Sequence, residues 1–505
     1  MSRKLVLFGV DGADWEVLDP LIKEGCLPNF KRAMDKGTRA HLRSTIPPLT
    51  APAWTSIFTG VNPGKHGIFD FGTVVNGKPR YTSGADRQAP YFWELMHREK
   101  VLAFNIPMSF PPRTSANAML ITGFGTPDRD SAFTAPAGLR TEILGIVPDY
   151  DFDMGPEGQL VKMGASADKS GIVRTLKKGL DSRMKVARHL LKSKEWDAAF
   201  MVFSETDWVQ HYFMSEFLNA DKKSGTEIAE IYKMLDPLLG ELLDSGCDVL
   251  IASDHGFREI RRIFFMNTYF VKNGVLKLKK ATRRGAMHAA GLTRERVLSF
   301  IPLQLYDFIR RSRLLANLGR SVFPSDVVGG GAIDYPGSVF LSSRNGGIMV
   351  PAGHDRKHVA QLVKAASDEE GSAVVRDVYA RESLYSGPHV EKAPPLTAVP
   401  EHDVHFSCSG ARTLGKKVDS AREMNGAHRE LGVFVSCGPN LRALGRLDTL
   451  HLLDIAPTVL SYFGYAVPEA LDGKPVPVIS GKSAKGSDLR YRTLLSIGRL
   501  ARKGR

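Results

Sequence analysis

Residues 248–257 read DVLIASDHGF: a short, continuous apolar run, then Ser253, Asp254, His255 and Gly256. A run without alternation, bounded by turn residues, is the pattern of a strand buried on both faces, as in a parallel sheet covered by helices. The same grammar recurs in LVLFGVDGADW (5–15), DAAFMVFSETDWVQH (197–211) and LGVFVSCGP (431–439). Helical patterns lie between these runs. In EIAEIYKMLDPLLGELLDSG (227–246), apolar residues fall at three- and four-residue spacing, and Gly246 follows as a stop signal. LPNFKRAMDKG (27–37) is a shorter helix with a similar ending. Alternating strand and helix implies an α/β fold with a doubly wound, mostly parallel sheet.

The stretches outside this alternation read as inserted cap or lid segments. Residues 71–170 are rich in Gly, Pro and Asp, with a strand expected at VLAFNIPMSFPP (101–112). Residues 258–345 are basic and include the amphipathic stretch RVLSFIPLQLYDFIRRSRLL (296–315), which suits the inner face of a lid or a membrane surface. The expected organisation is a discontinuous catalytic core (1–70, 196–257, 346–480), a first insertion at 71–195, a basic insertion at 258–345 and a basic tail at 481–505. The chain has 505 residues, 43% hydrophobic and 24% charged, and a net charge of +14. Such an excess favours anionic partners or is simply a solvated basic surface. The opening MSRKLVLFGVDGADW has too short an apolar run for a secretion signal, and no later window is long enough to span a bilayer. A cytosolic location is expected, with the four scattered cysteines as reduced thiols.

In open α/β sheets ligands bind beyond the carboxyl ends of the strands. Asp11 closes the first strand, Asp207 and His211 follow the second, and Asp254 with His255 ends the third. One Asp after a strand is commonplace as a helix cap; three strands delivering acidic and imidazole groups to one rim point to metal binding. The spacing Asp207-x-x-x-His211 places both groups on one helix face. Mixed Asp and His donors suit a borderline divalent ion such as Zn²⁺. Two such ions set against three carboxylates leave roughly one positive charge to meet a phosphate. In IPPLTAPAWTSIFTGVNPGKHG (46–67), Pro52 and Gly60 bracket a short helix, with Trp54, Ile57 and Phe58 toward the core. Thr50 at its start is either an N-cap or a nucleophile beside unpaired amides that favour a phosphate.

These residues resemble the alkaline phosphatase superfamily. Asp11-Gly-Ala-Asp14, Thr50-Ala-Pro-Ala-Trp-Thr-Ser-Ile-Phe-Thr-Gly60, Asp207-x-x-x-His211, Ser253-Asp-His-Gly-Phe257 and Gly426-Ala-His428 occur in the family's order, with NPGKHG (62–67) and DIAPTVL (454–460) besides. The closest branch is similar to type I phosphodiesterases/nucleotide pyrophosphatases, and within it to cytosolic prokaryotic phosphohydrolase/phosphomutase proteins. The resemblance adds His428, which precedes its strand. It also divides the ligands between two divalent ions (Zn²⁺, with Mn²⁺ or Fe as alternatives). Asp207, His211 and His428 would hold one, and Asp11, Asp254, His255 and the Thr50 oxygen the other. It further implies in-line attack by Thr50 on phosphorus and a phospho-threonyl-type intermediate.

The same resemblance implies an asparagine contact to a phosphoryl oxygen three residues after the nucleophile. That position is Ala53, so nucleotide specificity does not follow. The expected substrate is a phosphodiester or pyrophosphate, small-molecule or part of an anionic lipid or glycan. Peripheral membrane contact is compatible, and specific nucleic-acid recognition is not expected. A phosphomonoesterase or phosphomutase on the same site is the alternative. It would need a second cationic clamp, for which Lys65 and Arg113 are candidates; a non-catalytic binder of anionic surfaces is the third reading. Lys65 and Ala53 stand as candidate substrate-binding positions, His66 as either a phosphate contact or a packing residue, and Asp14 as the cap of a helix starting at Trp15.

Overall fold

In the computed structural model of the protein, the apolar runs become strands of one central sheet. The structure describes residues 3–75, 78–152, 169–277, 334, 337–408, 414–418, 423–479, 485–486 and 490–496. The first half of the core comprises β1 (Leu5–Val10), α1 (Trp15–Lys23), α2 (Pro28–Asp35), β2 (Thr38–Arg43) and α3 (Thr50–Thr59). After them come β3 (Val101–Ile106), β4 (Ala118–Thr122), α4 (Lys169–Ser193), β5 (Ala198–Phe203) and α5 (Glu205–Asn219). The second half adds α6 (Glu227–Asp244), β6 (Asp248–Ala252), β7 (Gly256–Glu259), β8 (Gly426–Arg429), β9 (Leu431–Cys437) and α7 (Ile455–Tyr462).

The sheet runs β2-β9-β6-β1-β5-β3-β4, with two-residue strands at its margins. β1 pairs in parallel with β5 and β6, and β3 in parallel with β4 and β5. Among these seven strands β9 is the exception, antiparallel to both β6 and β2. The alternation of side chains along β1 separates two cores. Val6, Phe8 and Val10 pack with α1, α2, α4, α5 and α6 on one face; Leu5 and Leu7 pack with α3 and α7 on the other. Helices therefore cover both faces of a mostly parallel sheet, and the doubly wound α/β class holds. Gly9 sets a close approach: a Cβ there would lie 2.7 Å from the Trp54 ring, so its absence lets α3 settle against β1.

Residues 346–408, assigned to the core from the sequence, take a different course. Strands at 340–341, 347–349, 375–380 and 396–400 form a separate four-stranded sheet, with helix Arg356–Lys364 against it. This module has its own apolar core, which includes Phe264, Phe270, Val359 and Val404. Its strand Val375–Ala380 buries only its first residue, so it is a half-exposed strand that does not suit a sheet covered on both sides. The chain returns to the central sheet at β9. Most of the basic insertion, including the amphipathic stretch 296–315, lies outside the described residues. Among the described residues no helix is long and apolar enough to cross a membrane.

Candidate active site

The strand ends assemble one cluster. Asp11 follows β1, Asp207 lies in the first turn of α5 directly after β5, and Asp254 and His255 form the corner between β6 and β7. β7 pairs antiparallel with β8, with Phe257 opposite His428. Because β9 runs antiparallel to the rest, the residues that precede it sit at the rim where the parallel strands end. His428 arrives there by that route.

The donor atoms converge. His428 Nε2 lies 3.1 Å from Asp207 Oδ1 and 3.0 Å from His211 Nε2, and His211 Nε2 lies 3.5 Å from Asp207 Oδ2. His255 Nε2 is 3.2 Å from Asp254 Oδ2, 3.7 Å from Asp11 Oδ1 and 3.9 Å from Asp207 Oδ1. Two groups have the closeness of cation ligands: Asp207, His211 and His428, and Asp11, Asp207 and His255. Asp207 thus lies within reach of both. The rings of His255 and His428 stack at 3.6 Å, and Phe257, fully buried, walls the imidazoles from behind.

The second ring nitrogens fix the tautomers. Nδ1 of His211 donates to Gly426 O (3.0 Å), that of His428 to Pro48 O (2.8 Å) and that of His255 to Gly256 O (3.3 Å). A carbonyl only accepts, so each Nδ1 carries a proton, and each ring when neutral presents the Nε2 lone pair to the centre. Gly12 N donates to Asp254 Oδ1 at 3.2 Å, and Trp54 Nε1 to Asp11 Oδ2 at 3.1 Å. The opposite oxygens, Asp11 Oδ1 and Asp254 Oδ2, are buried without a donor. Buried carboxylate oxygens left this way are costly unless a cation meets them, and imidazole with carboxylate is a fitting donor set for one.

The acid–base balance records the same crowding. Burial pushes the Asp11 carboxyl well above its ordinary range, and the charges of Asp254 and Asp207 push it further. Burial likewise raises Asp254, to about 7. Burial also raises Asp207, but His211, His428 and His255 outweigh it and bring that carboxyl down to about 2. Burial lowers His211 and His255, whereas the Asp207 charge overcomes burial at His428 and raises it.

Thr50 is the first residue of α3 and is buried. The helix has no side-chain cap; Leu49 stands at the capping position. Thr50 Oγ1 instead faces the cluster, 3.3 Å from His255 Nε2. Pro52 has no N–H, so the amides of Thr50 and Ala51 are the first-turn donors left for an anion.

The other candidates are placed elsewhere. Lys65 pairs with Asp472 and donates to Ala470 O at 2.9 Å. The Ala53 side chain is enclosed in the core under α3. His66 is buried between Ser56 Oγ (2.9 Å) and Ile68 N (3.2 Å), and burial lowers it to about 3, a packing imidazole. Asp14 caps α1 through Glu16 N at 2.8 Å and pairs with Arg429. Two contributors escaped the sequence reading. Trp54 was placed in the core without its indole N–H, and Arg258, which donates to His428 O at 3.2 Å, carried no motif.

The doubly wound sheet thus gathers Asp and His side chains at the carboxyl ends of its strands. The chain belongs to the type I phosphodiesterase / nucleotide pyrophosphatase family, whose sequence profile matches residues 5–428. Among solved structures, phosphonoacetate hydrolase from Sinorhizobium meliloti 1021, in complex with phosphonoformate, aligns with a TM-score of 0.55 at 15% identity. That alignment covers 90% of this chain and 94% of the other. Murine ectonucleotide pyrophosphatase/phosphodiesterase 5 aligns with a TM-score of 0.52 at 14% identity, over 94% of this chain and 98% of that one. At such identities the likeness is one of fold. No curated protein sequence matches the chain.

Proposed function

We propose that the protein hydrolyses phosphodiesters or pyrophosphates with two divalent cations, Zn²⁺ foremost, and Thr50 as nucleophile. Asp207, His211 and His428 would hold one cation, and Asp11, Asp254 and His255 the other. The observation that carries this reading is the placement of Thr50 Oγ1, uncapped at a helix start and 3.3 Å from a ligand imidazole.

When bound, the cations would neutralise phosphoryl oxygens and ease deprotonation of the Thr50 hydroxyl. The residues do the rest. The amides of Thr50 and Ala51 receive a phosphoryl oxygen, and the dipole of α3 favours its negative charge. Thr50 Oγ1 forms a bond to phosphorus as the leaving oxygen departs on the opposite side. Water then attacks phosphorus from the vacated side, the phosphorus–Oγ1 bond breaks, and the hydroxyl is restored. Phe257 and the buried His255 keep bulk water from the back of the cluster. A monoesterase or phosphomutase would need a second cationic clamp, and Lys65 is engaged by Asp472.

The test is a phosphoester panel on metal-reconstituted protein. Bis-p-nitrophenyl phosphate should turn over faster than the monoester. Thr50→Ala should cut kcat by roughly a thousandfold or more, with metal content, read by elemental analysis, near two ions per chain. Undiminished turnover in Thr50→Ala would end the nucleophile assignment, and a preference for the monoester would favour the alternative.

A further inference from the structure

α5 is not one continuous helix. Its backbone breaks at Phe213, where φ is −130° and ψ is 15°. In an unbroken helix the amide of Ser215 would bond the carbonyl of His211, four residues earlier. Here both groups bond a residue from a distant part of the chain. Asn425 Oδ1 accepts from Ser215 N at 3.1 Å, and Asn425 N donates to His211 O at 2.9 Å. Its Nδ2 donates to Glu216 Oε2 at 2.7 Å, and its carbonyl accepts from Ile260 N at 2.8 Å, just beyond β7. Asn425 is fully buried. A side chain inserted into the helical ladder is a physical cause of a kink.

The location of this splice matters. The break falls just after His211, and Asn425 directly precedes β8, which carries His428. The next residue, Gly426, accepts from His211 Nδ1. One segment therefore sets the backbone at His211, the orientation of its ring and the approach of His428, whose Nε2 lies 3.0 Å away. Asp11, Asp254 and His255 sit instead at the ends of β1 and β6, inside the parallel sheet.

We infer that Asn425 is a positioning residue for the His211–His428 half of the centre: it holds α5 broken so that the two imidazoles converge on one cation. The Asp11–Asp254–His255 half does not depend on it, so the two sites respond separately when Asn425 is changed. This rests on the cation site proposed above at Asp207, His211 and His428.

The experiment titrates metal-free protein with Co²⁺, reading affinity and stoichiometry by calorimetry and ligand field by visible absorption. The wild type should bind two ions. Asn425→Ala should leave one binding event and its spectrum unchanged and weaken the other about ten- to a hundredfold, as loss of a supporting hydrogen bond does. Asn425→Asp keeps the acceptor for Ser215 N but sets a carboxylate against Glu216, and should weaken the same event. Glu216→Gln alone still offers Asn425 an acceptor and should bind as wild type. The double variant Asn425→Asp/Glu216→Gln restores a donor–acceptor pair with reversed direction and should recover most of the lost affinity. Equal weakening of both events, no weakening of either, or a double variant no better than Asn425→Asp would overturn the inference. A wild type that binds no ion would overturn the cation reading beneath it.

Discussion

Trp54 shows how much chemistry one side chain can add to a packing role. Its ring lies 2.7 Å from where a Cβ on Gly9 would be, and its Nε1 donates to Asp11 Oδ2 at 3.1 Å. Trp54→Phe keeps an aromatic group in α3 but leaves that oxygen buried without a donor. We expect a loss of about 1–3 kcal/mol, the usual cost of leaving a buried polar group without its partner, and weaker cation binding at the Asp11 half. Urea denaturation and metal titration measure the two effects; an unchanged midpoint would mean that water replaces the indole. Lys65 is the opposite case. Its charge invited a role in substrate binding, yet its ammonium pairs with Asp472. Both partners are partly exposed, so the pair is worth about 1 kcal/mol or less. Lys65→Met should therefore leave kcat/KM for a diester essentially unchanged, and a large rise in KM would return Lys65 to the substrate.

Among the elements, the β8–β9 segment, whose two strands join different sheets, is where sequence and structure diverge most instructively. The apolar run 431–439 was legible as a buried strand, but its direction was not, because an antiparallel strand inside a parallel sheet has the same two-sided burial. Direction decides which end of the strand reaches the rim. With β9 reversed, the preceding residue His428 reaches the cluster, although the rule of strand carboxyl ends passes over it. Asp11, Asp207 and Asp254 were readable since each follows a parallel strand. His211 was readable from helical spacing. Trp54 and Asn425 were not, for hydrogen bonds between residues 43 and 210 positions apart leave no local period. Gly426 opens β8 in the same segment. A Cβ there would lie 2.1 Å from Gln210 O and 3.0 Å from Met214 Cβ, so β8 can approach α5 only as glycine. Gly426→Ala should cost about 3 kcal/mol, the upper end for overpacking, and should weaken the His211–His428 half by displacing β8. Gly138, with open space around it, is the control. Equal melting temperatures for Gly426→Ala and Gly138→Ala would refute the close-packing account.

For the whole molecule, the cluster couples stability to both metal and pH, and the sign follows from the directions of the shifts. Without cations, Asp254 is raised to about 7 and Asp11 is likewise raised well above its ordinary range, so the native state holds protons that the unfolded chain has released. Stability then falls as pH rises through that window. His428, also raised, acts in the same sense: its contribution is present at low pH and lost as it deprotonates. His211 and His255 are lowered, so they favour folding as pH rises, but only up to the ordinary imidazole range near 6.5. Asp207, held at about 2, has released its proton in both states well below this. Above about pH 6.5 only the destabilising trend is left in the metal-free protein. On the cation reading proposed above, bound cations would take the place of the protons and stabilise the native state by linkage, more tightly as protons cease to compete. The gap in melting temperature between Zn²⁺-loaded and chelator-treated protein should therefore widen from pH 6.5 to pH 8.5. Differential scanning calorimetry of the two forms across that range reads it directly. A gap that narrows would mean that the carboxylates are not the groups that the cations neutralise.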